Sequence, residues 1–176
     1  MKKSIVLLLM VVCSGCAREH VKPEADLSYM SVERDSRYPI YDVSYSSNVN
    51  LLDLFDRGEG VGYAAAFLVC ALGNDQDFSI GHHIQFAALG SIKGDGQSQE
   101  KGTFNYVTSA LLSEVSNSGG SRRNLASNEL NEILADKSSI PCRVRITAYG
   151  YETYYSNAMY IPTADLLREI NKPRLK

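Results

Sequence analysis

No stretch of this 176-residue chain stays apolar long enough to cross a bilayer, because a spanning helix needs about 20 such residues and both the run from Ile5 to Val12 and the run from Val61 to Leu72 stop well short. Charge of one sign is equally scarce. Eighteen basic residues face 20 acidic ones, no block of like charges occurs, and loss of Lys2 and Lys3 with the first 15 residues would make the chain more acidic still. A nucleic-acid partner is therefore not expected. Gly-x-Ser-x-Gly and His-Glu-x-x-His are absent, which removes the nucleophile elbow and the zincin helix from consideration. There is no internal repeat, and only four cysteines are present, at positions 13, 16, 70 and 142. What remains is ordinary globular material, 44% hydrophobic and 22% charged, in an amount that suits one core.

The N-terminus carries the sharpest pattern. Met1-Lys2-Lys3 is a basic start, Ile5 to Val12 an unbroken apolar run, and Ser14-Gly15 a pair of small residues before Cys16, the order of a secretory signal. Ser14-Gly15-Cys16 resembles the lipobox of bacterial lipoprotein signals, with Cys13 standing where that family usually has leucine. The resemblance covers about the first 17 residues. It implies a signal peptide over 1–15, cleavage before Cys16, and a thioether-linked diacylglycerol (palmitate-type acyl chains) on Cys16. At about 0.8 kcal/mol per buried methylene, two or more such chains anchor a protein stably. For a Gram-negative host, Ala17 after the cysteine implies the outer membrane, with the mature chain facing the periplasm.

Residues 16–38 are polar and without sustained apolar periodicity, so they are expected to be the lipidated N-terminus and a flexible tether, with a weak amphipathic helix around Leu27 to Met30 as an alternative. Residues 39–176 are expected to fold as a single domain. Tyr41, Val43 and Tyr45 alternate with polar residues as a half-buried strand does, and so do Ile80, His82, Ile84, Phe86 and Ala88. Asn50 to Phe55 predicts a short helix. The glycines from Gly90 to Gly102 predict a loop, and the stripe Phe104, Val107, Leu111, Leu112 and Val115, after Thr103 as cap, predicts a helix. Ser127 would cap a further helix through Leu130, Ile133 and Leu134, with Lys137 at its negative end, and Thr163 a last one through Leu166, Leu167 and Ile170. Between them Cys142, Val144, Ile146 and Ala148 alternate with Arg143, Arg145, Thr147 and Tyr149, and a partner strand follows from Tyr154 to Ile161. The fold class expected is α+β: an antiparallel sheet with three or four helices packed against it. The run 61–72 suits a core element of either type.

Cys70 and Cys142 both fall on expected core faces. In an oxidising periplasm they should pair, the alternative being two separate buried thiols, and a Cα separation within about 7 Å decides between them. Cys13-Ser14-Gly15 matches the nucleophile motif of NlpC-type cell-wall peptidases but lies inside the signal. Cys70 with His83 is the other nucleophile and base such an enzyme could use, although an apolar run is a poor place for a thiolate. His82 and His83 are adjacent, so on a strand their rings point to opposite faces and hold no common metal. From Asp75 the spacing of a calcium loop fails at Ile80 and Phe86, and Gly94-Asp95-Gly96 lacks the lysine of a P-loop. No metal or cofactor is expected.

Tyr149, Tyr151, Tyr154 and Tyr155 crowd one hairpin, with Tyr160 close behind. Exposed tyrosines make good anchors for a protein or glycan surface, while the plainer explanation is that tyrosine favours sheets. Arg122-Arg123 reads as part of a solvated loop. These features together suggest a non-catalytic module, lipid-anchored in the cell envelope, that binds an envelope protein in an assembly, secretion or conjugation, or exclusion or immunity role. The alternatives are a cell-wall cysteine peptidase and a carrier of a small apolar or glycan ligand.

Overall fold

A computed structural model describes residues 22–55, 65–94, 102–116 and 119–173. Within them are nine strands and two helices: β1 (Leu27–Arg34), β2 (Ile40–Ser47), β3 (Ala65–Ala71), β4 (Phe86–Gly94), β5 (Phe104–Ser116), β6 (Ser121–Asn124), α1 (Ser127–Leu134), β7 (Ser139–Thr147), β8 (Tyr154–Tyr155), β9 (Met159–Pro162) and α2 (Thr163–Ile170). The strands join one antiparallel sheet in the order β1-β2-β5-β4-β3-β7-β8, with β6 on β5 and β9 on β7. The sheet curls into a half-barrel, mostly strand, which corrects the expectation of α+β with three or four helices.

The missing helices became strand and turn for identifiable reasons. Over 104–115 the alternation Tyr106, Thr108, Ala110, Leu112 is buried, while Val107 and Leu111 of the supposed helical stripe lie on the other face. The segment is rich in aromatic and β-branched residues, and β2 and β4 pair with both its edges. Over 50–55 the Asn50 side chain competes with the helix: its Oδ1 accepts the Leu52 N–H (3.3 Å) and its Nδ2 donates to Asp53 (2.6 Å). The result is a turn whose Leu51, Leu54 and Phe55 plug one end of the barrel. The strand expected over 80–88 begins only at Phe86 and continues through Gly90, where a loop was expected. Gly90 is required there, since a Cβ would meet the Ser109 carbonyl oxygen and come within 2.7 Å of Thr108 Cγ2.

The concave face holds the main core, from Tyr41, Val43 and Tyr45 of β2 to Val144 and Ile146 of β7. Its polar groups are paired where it matters most: the Tyr45 hydroxyl meets Thr108 Oγ1 at 3.2 Å, and the Tyr106 hydroxyl accepts the Leu51 N–H at 2.8 Å. Burial pushes both tyrosines above their ordinary pKa. Cys70 and Cys142 stand opposite each other in the β3–β7 register and form a disulfide, with Cα atoms 4.0 Å apart. The expected bridge is present.

Of the residues expected to form a tether, 16–21 lie outside the described residues and Leu27–Arg34 is strand. Leu27–Arg34 is an edge strand, with Met30 bulged out where the register to β2 slips. Its alternation is weak because one side is half exposed. The edge is also covered, since α2 packs on β1, β7 and β9, and β1 approaches β9. Arg34 gives its backbone N–H to Glu169 (3.2 Å) and its guanidinium to the Ile170 carbonyl (3.1 Å), while Tyr29 donates to Asp165 (3.1 Å). Burial and Asp165 push Tyr29 up to about 12. Burial alone would raise the Glu169 carboxyl, but Lys172, the Arg34 N–H and Arg168 outweigh it and hold the group below its ordinary value.

The helix starts differ from expectation by one residue. The Ala126 N–H donates to the Glu129 carboxylate (2.8 Å), so Ser127 is inside α1. Thr163 likewise begins α2, its buried hydroxyl without a hydrogen-bond partner among the described residues, and Pro162 precedes it. Lys137 reaches past its helix to the Gly73 carbonyl and Asn74, both at 2.8 Å.

Candidate functional site

On β3, β4 and β7 every second residue faces away from the main core. Val69, Ala71, Ala87 and Ile84 form a second apolar cluster there, with Phe67, Phe78 and Leu89 packed against it. The segment 73–85 crosses this convex face and supplies Phe78 and Ile84. Its shape follows from its side chains. Asp75 accepts the Asp77 N–H (3.1 Å), Asp77 accepts the Ser79 N–H (2.9 Å), and His82 Nε2 meets Asp75 Oδ2 at 2.7 Å with Asp77 3.8 Å from its other nitrogen. The Asp75 hydrogen bond raises the His82 pKa above its usual 6.5, and the same bond lowers that of Asp75. His82 thus serves as a loop pin.

Arg143 and Arg145 project from β7 onto this face, as the alternation with Cys142, Val144 and Ile146 requires. The Arg143 guanidinium lies 5.7 Å from the Phe78 ring centroid. Arg145 stands opposite Phe67 on one side and Tyr155 on the other. Among the described residues neither arginine has a carboxylate partner, whereas Arg123, expected in a solvated loop, lies on β6 and is held by Glu114 and Glu129. That pairing pulls Glu129 down to about 2.

Two depressions adjoin here and share Asp77 and Phe78. One, of about 340 Å³, is lined by Arg143, Tyr155, Tyr160, Pro141 and residues 76–79, and is open to solvent. The other, of about 50 Å³, lies between Arg145, Arg122, His83 and the apolar cluster. Together they give a shelf of three arginines, Arg122, Arg143 and Arg145, bordered by Asp77, tyrosine and phenylalanine. It can accept an acidic or carboxylate-bearing group.

The residues singled out from sequence divide. Tyr155 belongs to the shelf, and Tyr160, 59% exposed, stands beside it. Tyr149 is 83% exposed but sits at the opposite end, in the turn after β7. Tyr151 packs edge-on against Phe55 with ring centroids 5.2 Å apart, and the Tyr154 hydroxyl donates to the Pro23 carbonyl at 2.8 Å. Those two clamp the start of the domain. Cys70 is buried and bonded to Cys142, so it has no thiolate to offer, and His83 lies against Gly119. Among the described residues no three His, Cys, Asp or Glu side chains are placed to share a metal ion. Nor is any described helix long and apolar enough to cross a membrane. Cys16 lies outside the described residues. The sequence offered one signal for the arginines, their alternation with core residues, but no signal that 73–85 would fold across them. Compared with models of known protein families, with curated proteins and with solved structures, the chain matches none.

Proposed function

We propose that this chain is a non-catalytic interaction module of the bacterial envelope, anchored by lipid on Cys16 and presenting the β7 shelf to an acidic surface of a partner protein in the periplasm. The observation that carries the reading is the pair of half-buried arginines, Arg143 and Arg145, which form no ion pair among the described residues and stand beside Tyr155 and Tyr160 on the sheet, with Asp77 at the border of the two depressions. Arginine and tyrosine are the side chains that most often concentrate binding energy at an interface, and a sheet spends little entropy in presenting them. The disulfide supports an oxidising compartment, and Ser14-Gly15-Cys16 supports the outer-membrane anchor.

The test uses the full-length protein, extracted from membranes in mild detergent with whatever it binds. A partner is expected to co-purify in fixed stoichiometry, and Arg143→Glu with Arg145→Glu is expected to weaken it at least about 100-fold, since each desolvated charge pair lost costs 2 kcal/mol or more. Unchanged near-ultraviolet dichroism would show that the variant folds. Retention of the same partner by the double variant, or its release by mutating Tyr149 alone, contradicts the proposal.

A further inference from the structure

Six strand ends meet at one end of the half-barrel, as the register shows: Leu27 lies opposite Ser47, Ser47 opposite Phe104, Tyr106 opposite Gly94, and Ala65 opposite Thr147. The chain enters the fold at this same end and is tied down at once. Lys22 gives its ammonium to the Leu54 carbonyl (2.8 Å) and stacks over Phe55 (4.8 Å) and Tyr151 (5.6 Å). Ala25 is fully buried, its carbonyl accepting the Asn157 N–H (2.9 Å), and Asp26 accepts the Asn157 amide (2.7 Å). The first described residue, Lys22, is thus already held by the fold, six residues after Cys16. Six residues span at most about 20 Å, whereas the thirteen residues of β5 alone are about 44 Å long at 3.4 Å per residue. A leash half the length of the body keeps the body's near end at the surface where the leash is fastened.

That near end carries the most exposed large hydrophobic side chain among the described residues, Tyr149 at 83%, with Leu52 exposed beside the same plug. We infer that this end is a membrane-docking surface, seated on the bilayer that holds Cys16, with Tyr149 and Leu52 in the lipid interface. The inference rests on the anchor proposed above. Tyrosine suits that depth, because its ring is apolar and its hydroxyl wet. At the same end Glu24 and Glu152 offset Lys22 and Lys93, which leaves no basic patch for anionic headgroups, so the contact is apolar and depends on the leash. The β7 shelf then lies on the side of the body, since Arg143 is in the middle of Ser139–Thr147 and its side chain leaves the convex face of the sheet.

The chain contains no tryptophan, so one introduced ring reports alone. Full-length Tyr149→Trp, purified from membranes and placed in phosphatidylethanolamine–phosphatidylcholine vesicles, is expected to lose at least about half its fluorescence when brominated lipid is included, as insertion of 5–10 Å requires. Tyr38→Trp, at the far end and 60% exposed in the parent, is expected to lose none. Incorporation of labelled palmitate into the same samples separates the two claims. Palmitate without quenching at 149, or with equal quenching at 38, overturns the docking surface and leaves the anchor standing. Absence of palmitate overturns the anchor and the docking surface with it.

Discussion

Replacing Cys70 and Cys142 together by alanine, or reducing their disulfide, is expected to lower the stability of the domain by about 4 kcal/mol, the chain-entropy value for a loop of this size. The two cysteines are 72 residues apart in sequence and directly opposite in the β3–β7 pair, so the cross-link removes a large set of unfolded conformations without displacing native neighbours. Both side chains are buried, and alanine leaves only a small void behind each. Set against a usual total of about 5–15 kcal/mol, the loss is severe. A thermal midpoint roughly 10 °C lower should follow, at 2–4 °C per kcal/mol for a domain of this length. Denaturation followed with and without reductant measures it, and coincident curves would mean that the bridge does not constrain the unfolded chain.

Gly90→Ala is expected to destabilise by about 2 kcal/mol through a different route, overpacking. The added methyl group would press on the Ser109 carbonyl oxygen and on Thr108 Cγ2, and the first of these is backbone in the central strand, which cannot swing aside. Gly150 provides the comparison. Its φ of 79° strains any other residue, yet nothing lies within 4 Å of the position of a Cβ, so Gly150→Ala should cost only the left-handed penalty of about 1 kcal/mol. Urea unfolding of the two variants distinguishes them. A larger loss at Gly150 than at Gly90 would show that β4 and β5 are not packed as closely as described.

What could be read from the sequence followed from burial. The strands β2 and β7 alternate cleanly because one face is core and the other wet, and α1 and α2 show apolar residues at helical spacing for the same reason. β5 could not be read that way. It places Thr108 and Ser113 in buried positions and Leu111 in a half-exposed one, so its apolar residues fell by coincidence on a helical stripe. β1 was hidden for the opposite reason: an edge strand that buries little needs few apolar residues, and its Glu33 and Arg34 resemble linker. The candidate shelf was legible in part, as the wet face of β7. Its boundary was not, because Phe78 reaches Arg143 only through the turns built by Asp75, Asp77 and His82, and nothing in the spacing of those residues indicates which strand they will cross.

The proposed anchor, and the membrane seat that rests on it, depend on what happens at Cys16. Intact mass spectrometry of the protein extracted from its native membrane tests this most directly. The account predicts a chain that starts at Cys16 and is heavier than residues 16–176 by a diacylglycerol, with or without a third acyl chain. A mass equal to the bare polypeptide, whether from Met1 or from any residue after it, would contradict it.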